Sequence, residues 1–436
     1  MIARGLSLAM RIKSHPFARQ VSGMMLLTAA GQGVYMLAGP FIGRLYSPEQ
    51  IGIFGLFVTL WTLLGMFACG LYDLAIPAAR NDDEARQVSG AAALIGTGVG
   101  IFSGAGLSIV ADNQWFGLGV FPLWVGAVMT SAMFAQMVVL IGQAWAVRRN
   151  EVMVIGRANV LMNALRSIFQ VAGGLLSPVW GTMAVGEIVA RLVQAWRMSK
   201  SKVAPGAPLI RWRGLAAAIR NYRRYPAIFG PAFAVDSVAA LLQTAMIGVL
   251  FSTAEMGQFF LMRRTLDLPV AFAFRSLSDL FFARQLILSR TSPQKLRPFF
   301  LFSGAVLAIV GLAGGAPLII WGSELFTLFY GANWSVAGDL AAIMVPAMVL
   351  NLAVAPVSRV FQVSTMAHLR LLPGLTNMAG TLLVFWIADD YALTLPQVIA
   401  GLSTTICLQY VVYFAAGYFV AGHVEQGDAS NSTTVG

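Results

Sequence analysis

Ile42-Gly43-Arg44-Leu45-Tyr46-Ser47-Pro48-Glu49-Gln50-Ile51-Gly52-Ile53-Phe54-Gly55-Leu56 returns 205 positions further on, in altered form, as the stretch Ile247 to Leu261. The two copies are identical at seven of fifteen positions: Ile42/Ile247, Gly43/Gly248, Leu45/Leu250, Ser47/Ser252, Gly52/Gly257, Phe54/Phe259 and Leu56/Leu261. In each, a serine turn joins two apolar stretches. The offset is close to half of the 436 residues, as expected if one multi-helix unit was duplicated. In a membrane protein, duplicated halves point first to a transporter, because two similar bundles are able to rock about a site held between them.

Composition identifies the solvent. Hydrophobic residues make up 58% and charged residues 11% of the chain, and the mean hydropathy is +0.75. A soluble domain carries roughly a quarter charged residues. Charge-free windows run over 20–43, 50–72, 88–111, 113–147, 298–323 and 391–424. Each is long enough for a helix across a hydrocarbon core of about 30 Å, which takes about 20 residues. Adding shorter or charge-interrupted spans predicts twelve helices, near 21–43, 51–73, 88–111, 117–142, 158–176, 179–198, 227–250, 255–282, 298–321, 339–360, 369–388 and 396–420. Six fall in each half. The expected fold is an all-α polytopic membrane protein of two six-helix lobes related by a parallel pseudo-two-fold repeat. Its parts would be an N-terminal lobe at 1–200, a cytoplasmic amphipathic linker at 201–226, a C-terminal lobe at 227–422 and a disordered tail at 423–436.

Lys and Arg sort the loops into two classes. They occupy the N-terminal segment (Arg4, Arg11, Lys13, Arg19) and then alternate loops: Arg80 and Arg86, Arg148 and Arg149, Arg197 to Arg224, Arg284 to Arg297, and Arg370. The loops around Asp112, Pro178, Thr253, Asn333 and Asp389 have none, and the first has only Arg44. Both termini are therefore expected in the cytoplasm. The net charge of +11 is mostly this asymmetry, so it is not read as a nucleic-acid footprint. The basic N-terminus runs straight into a full-length span without a small-residue cleavage site, unlike a signal peptide. Cys69 and Cys407 are too few and too far apart for a disulfide framework or zinc site. His15, His368 and His423 have no carboxylate or cysteine at ligand spacing, so neither a metal nor a cofactor is expected.

The linker holds eight Lys and Arg between Arg197 and Arg224. Trp212, Leu215, Ile219 and Tyr222 recur in it near helical spacing. It either lies in the headgroup plane with its arginines on anionic lipid, or serves only as a positive-inside stop signal.

An ionisable group near the bilayer midplane costs several kcal/mol or more unless it meets a partner or a wet cavity. Arg166, Glu187, Arg191, Asp236, Arg263, Arg264, Asp267, Arg275 and Asp279 fall within the predicted spans. At 1.5 Å per residue, Arg264 lies about 10 Å and Asp267 about 15 Å below the outer face. Glu187/Arg191, Arg263/Asp267 and Arg275/Asp279 are spaced i,i+4 and are open to mutual neutralisation. Arg166, Arg264 and Asp236 have no obvious local partner. A central cavity with surplus positive charge follows, suited to an anionic ligand, because guanidinium presents a fork of donors to phosphate oxygens.

These residues sit in recognisable surroundings. Gly257 to Arg284, with Arg264, Pro269 and the ending Asp279-Leu280-Phe281-Phe282, resembles helix eight of the bacterial polysaccharide-export flippases. These belong to the multidrug/oligosaccharidyl-lipid/polysaccharide exporter superfamily. Arg44-Leu45-Tyr46-Ser47-Pro48-Glu49, with Gly52 and Phe54, is similar to their first outer turn. Tyr72-Asp73-Leu74-Ala75-Ile76-Pro77 with Asp82-Asp83-Glu84-Ala85 is similar to their helix-two exit, although Asp73 replaces an expected Glu. Phe329-Tyr330-Gly331-Ala332-Asn333-Trp334-Ser335-Val336-Ala337-Gly338 resembles the motif before their helix ten, with Asn333 where a charge is usual.

The resemblance implies a flippase moving a polyprenyl-diphosphate-linked oligosaccharide across the inner membrane for O-antigen or exopolysaccharide synthesis. Alternating access would expose a cationic central cavity formed by Arg166, Arg191, Arg263, Arg264 and Arg275. Asp236, Asp267 and Glu187 are the candidates for ion coupling, since neighbours and desolvation set a carboxylate's proton affinity. Expected partners are the lipid-linked oligosaccharide, membrane lipids, and the polymerase and glycosyltransferases of the same pathway. A cation-coupled multidrug exporter of the same superfamily is the alternative, and it favours a carboxylate-rich cavity. An enzyme of the pathway would need a large outer loop with acids or histidines. The longest here, 322–338, carries Glu324.

Overall fold

The computed structural model describes residues 16–201, 212–362 and 371–433; the side chains at 16–22, 116–117, 213, 228–229, 232–233, 235–237, 268–277, 279–280, 283, 290, 293, 359, 362, 371 and 424–433 lie outside that description. Among the described residues there are thirteen α-helices and no strand. The first seven are α1 (Pro16–Leu45), α2 (Pro48–Met66), α3 (Asp82–Asp112), α4 (Val125–Arg148), α5 (Met153–Leu176), α6 (Trp180–Ser199) and the short α7 (Trp212–Asn221). Then come α8 (Arg224–Leu250), α9 (Thr253–Thr291), α10 (Leu296–Tyr330), α11 (Ser335–Val354), α12 (Leu371–Asp390) and α13 (Leu395–Thr433). Twelve are long, six before α7 and six after it. Helices are the answer lipid imposes, because each satisfies its own backbone groups.

Contacts gather into two units, Met1–Ala234 and Val235–Gly436. Within the first, α3 packs on α4, α4 on α6, α6 on α5, and α2 on α4. Seven helices later the second repeats the list: α10 on α11, α11 on α13, α13 on α12, and α9 on α11. The quoted repeat marks equivalent places. Ser47 is the N-cap of α2 and Ser252 the N-cap of α9, both with extended backbone. The second copy closes a full capping box with Glu255. Such a box satisfies two N–H groups that a helix start leaves open. In the first copy Gln50 turns elsewhere, accepting the Trp180 N–H that opens α6 at 2.7 Å.

Each unit also has one crossing without side chains. A Cβ on Gly126 of α4 would overlap the Gly104 carbonyl of α3, and one on Gly338 of α11 would overlap the Gly322 carbonyl of α10. In α10 the helix bends at Trp321 (φ −127°, ψ 28°), four residues past Pro317, and this delivers Gly322 to the crossing. Small residues at such points let helices approach in a medium that offers no hydrophobic drive between them.

Several boundaries differ from the sequence reading. α4 begins at Val125, not near 117, because the residues before it form a short 3-10 segment, Trp115–Val120, followed by Pro122. Helix α13 begins at Leu395, close to the expected 396, and runs to Thr433. α2 stops at Met66, short of the expected residue 73. Gly70 and Leu71 then turn the chain with left-handed φ of 57° and 63°, and Tyr72–Ala78 forms a 3-10 segment. Arg148, at the end of α4, staples that segment. Its Nη1 donates to the Ala79 carbonyl at 2.7 Å and its Nε meets Asp82 at 3.0 Å.

Asp73 sits inside this segment, 8% exposed, with Oδ1 lacking any hydrogen bond among the described residues. Burial pushes its carboxyl above the ordinary 3.8, opposed by the N–H groups of Asp73 and Leu74. The folded protein thus keeps this proton to higher pH than the unfolded chain. Its contribution is most favourable below pH 3.8 and declines as pH rises through the raised value. Asp73→Asn should flatten that part of the stability profile, raising thermal stability more at pH 8 than at pH 5. Equal shifts at both would show that the carboxylate is not desolvated.

Candidate functional site

The α5 sequence sets polar residues on one stripe of an otherwise apolar helix: Asn159, Asn163, Arg166 and Gln170, spaced i, i+4, i+7 and i+11. α6 answers with Glu187, Arg191 and Gln194 at i, i+4 and i+7. The two helices pack together and the stripes meet.

Glu187 lies at the centre, its side chain 3% exposed. Arg166 reaches it from α5, with Nη1 donating at 3.3 Å to the carboxylate and Nη2 donating to Asn163 Oδ1 at 2.6 Å. The Arg166 guanidinium carbon is 3.2 Å from the centre of the Tyr35 ring of α1. Arg191 approaches the same carboxylate from the next turn of α6, Nε to Oε1 3.7 Å. Its guanidinium lies over Trp61 of α2 at 4.8 Å, and its Nη1 donates to Gln194 Oε1 at 3.3 Å. Gln194 in turn donates to Asn159 Oδ1 at 2.7 Å. Four helices thus enclose two guanidinium groups around one carboxylate.

The formal charge of this cluster is positive by one. Its unmet demand has the same sense. Trp61 Nε1, Arg166 Nε and Arg191 Nε are buried donors without a hydrogen-bond acceptor among the described residues. Gln170 Oε1 further along α5 and Gln136 Oε1 of α4, on a side chain near Trp61, are buried acceptors also left open among the described residues. A ligand rich in acceptor oxygens and carrying negative charge answers that demand, and a cation would add to the repulsion. No group of three metal-ligating side chains occurs among the described residues.

The second unit builds a cluster of different chemistry on α8, α9 and α12, the counterparts of α1, α2 and α5. Gln243 of α8 donates to Thr381 Oγ1 of α12 at 3.1 Å and accepts from Arg263 Nη1 of α9 at 2.6 Å. Gln243 and Thr381 are buried, so amide and hydroxyl replace the ion pair at the centre. Arg263 also approaches Asp267, Nε to Oδ2 3.5 Å. The Asp267 side chain is 62% exposed, so this ion pair is open to its surroundings where the Glu187 pair is enclosed. Arg264 is half-buried on α9. Asp236, Arg275 and Asp279 lie on α8 and α9, with side chains outside the described residues.

Three of the expected site residues, Arg166, Glu187 and Arg191, therefore converge. Arg166 does have a carboxylate partner, on the neighbouring helix instead of its own. Charge alone does not point to Tyr35, Trp61, Asn159, Asn163 and Gln194; the polar stripe of α5 carries the signal for Asn159 and Asn163, and that of α6 for Gln194.

Seven described helices are long and apolar enough to cross a membrane: Gly23–Leu45, Pro48–Met66, Asp82–Asp112, Val125–Arg148, Leu296–Tyr330, Ala332–Val354 and Leu395–His423. No protein-family model matches the sequence, and no curated protein matches it. Solved structures do. An inward-facing multidrug resistance MATE family transporter of the MOP superfamily aligns with a TM-score of 0.65 at 14% identity, over 91% of this chain and 96% of its own. The lipid II flippase MurJ, in an inward closed conformation, aligns at 0.66 and 11% identity, over 90% and 87%. The chain has the MATE/MurJ fold. A MOP superfamily transporter from Pyrococcus furiosus, described as having a binding pocket of reversed polarity, aligns at 0.53 and 13% identity, over 95% and 98%. At these identities the likeness establishes the fold alone and leaves role and substrate to the residues of the site.

Proposed function

We propose that this protein is a flippase that carries polyprenyl-diphosphate-linked oligosaccharide units across the bacterial inner membrane by alternating access, with both termini in the cytoplasm. The observation that carries the reading is the Arg166–Glu187–Arg191 cluster, which combines surplus positive charge with three buried donors that lack acceptors. A diphosphate or an acidic sugar supplies negative charge and many acceptor oxygens, and guanidinium binds such groups at two points. A fold shared with a protein described as a lipid II flippase agrees with a lipid-linked substrate. A cation-coupled drug exporter has the same architecture but calls for the opposite sign at its buried site. The export pathway would supply the substrate through glycosyltransferases and remove it through a polymerase.

The test is export of surface polysaccharide in cells lacking the chromosomal gene and carrying Arg166→Ala. Charge balance is kept, because Glu187 retains Arg191, so protein abundance should stay near normal. Export should fall at least about tenfold, the effect of losing one charge-assisted contact of about 1.5–3 kcal/mol, and lipid-linked intermediate should accumulate. Arg166→Lys should recover only part of it. Full export by Arg166→Ala would remove the cluster from the substrate path.

A further inference from the structure

Helix α7 divides its residues cleanly. Leu215 and Ala218 are 2% and 4% exposed, and the helix packs on the N-terminal end of α3. Gly214 permits the approach, since a Cβ there would touch the Gln87 amide at 3.0 Å. Tyr72 Oη donates to the Ile219 carbonyl at 3.2 Å, and Tyr222 hydrogen-bonds Glu84. The apolar face is thus spent on the protein and does not enter a bilayer. On the opposite side Trp212, Ala216 and Arg220 form an i, i+4, i+8 stripe that is exposed, Trp212 by 72%, and Arg223 and Arg224 follow it, also exposed.

Carboxylates nearby are already engaged. Asp82 holds Arg148, Asp83 holds Arg86, and Glu84 accepts from the Arg80 N–H. Arg220, Arg223 and Arg224 make no ion pair among the described residues. Three guanidinium groups within five positions, flanked by an exposed tryptophan and directly followed by the long helix α8, fit one surface in particular. Tryptophan prefers the headgroup level of a bilayer, and clustered arginines beside a span attract anionic headgroups.

We infer that the outward stripe of α7 with Arg223 and Arg224 is a binding surface for anionic phospholipid, holding the protein-docked helix against the phosphates of the adjacent leaflet. This goes beyond transport and does not depend on what is carried.

Hydrogen exchange of the full-length protein tests it in nanodiscs of phosphatidylcholine alone, of phosphatidylcholine with phosphatidylglycerol, and of phosphatidylcholine with added inorganic phosphate. Phosphatidylglycerol should slow exchange across 212–225 by up to about a hundredfold, the combined effect of about 1 kcal/mol for each arginine. High salt should reverse it. The triple variant Arg220→Gln/Arg223→Gln/Arg224→Gln should stay at the phosphatidylcholine level with protection of α3 unchanged, and Arg220→Gln alone should be intermediate. Equal protection in both lipids overturns the proposal. So does a triple variant that still responds to phosphatidylglycerol, or inorganic phosphate producing the same protection, which would mark a small-anion site instead.

Discussion

Glu187→Gln is expected to destabilise the protein by about 3–5 kcal/mol, the range for removing one partner from a buried ion pair. The reason is the arithmetic of the cluster. One carboxylate faces two guanidinium groups, so its loss leaves two buried cations against each other, beside the amides of Asn163 and Gln194 and the rings of Tyr35 and Trp61. Arg166→Ala leaves a neutral pair and should cost far less. Chemical denaturation or thermal unfolding in detergent measures both. Equal costs would mean that the carboxylate does not hold both arginines. A double variant, Arg166→Gln with Glu187→Gln, should recover much of the stability lost by Glu187→Gln, because a single cation then remains. Stability and transport are expected to part company here, since that double variant should fold and still fail to export.

Gly126→Leu in the first unit and Gly338→Leu in the second should each prevent accumulation of folded protein. At both positions a single added carbon already overlaps the carbonyl of the glycine opposite, Gly104 or Gly322. Backbone cannot rotate away as a side chain can, so the helices must separate and forfeit the packing along their length. Overpacking typically costs about 1–3 kcal/mol where side chains are able to yield, and more is expected where the obstacle is backbone. Gly314, which has open space around its would-be Cβ, is the control, and Gly314→Leu should be tolerated. Size-exclusion profiles of the three variants decide the matter. A monodisperse Gly338→Leu protein would show that the crossing is looser than its geometry.

The parts of this fold legible in the sequence are those that lipid and local chemistry dictate. Twelve apolar stretches yielded twelve long helices, and the serines at 47 and 252 proved to be helix caps in the same register. Helix ends were less legible because they depend on single residues. The turn at Gly70 and Leu71 ends α2 early inside a run that hydropathy alone would continue. For the site, charge led to Glu187 and Arg191, whose i,i+4 spacing is local. The link from Arg166 to Glu187 spans two helices and depends on their rotation about their axes, which pairwise spacing does not encode. Amide residues escaped notice because Asn and Gln in a span are costly but uncharged, although their stripe along α5 had the helical period.

The unlike centres of the two clusters bear on ancestry. If both units descend from one six-helix protein that worked as a pair of identical copies, every residue of that ancestor had to serve in two places at once. A carboxylate gripped by two arginines in one copy meant the same in the other. Joining the genes end to end lifted that constraint, so that the Arg166–Glu187 pair between α5 and α6 has no like counterpart between α12 and α13, whose spans carry no Arg or Lys, while the serines at the helix starts and the bare glycine crossings stayed alike. The inequality of the halves is thus a kind of specialisation that a symmetric pair had no means to reach.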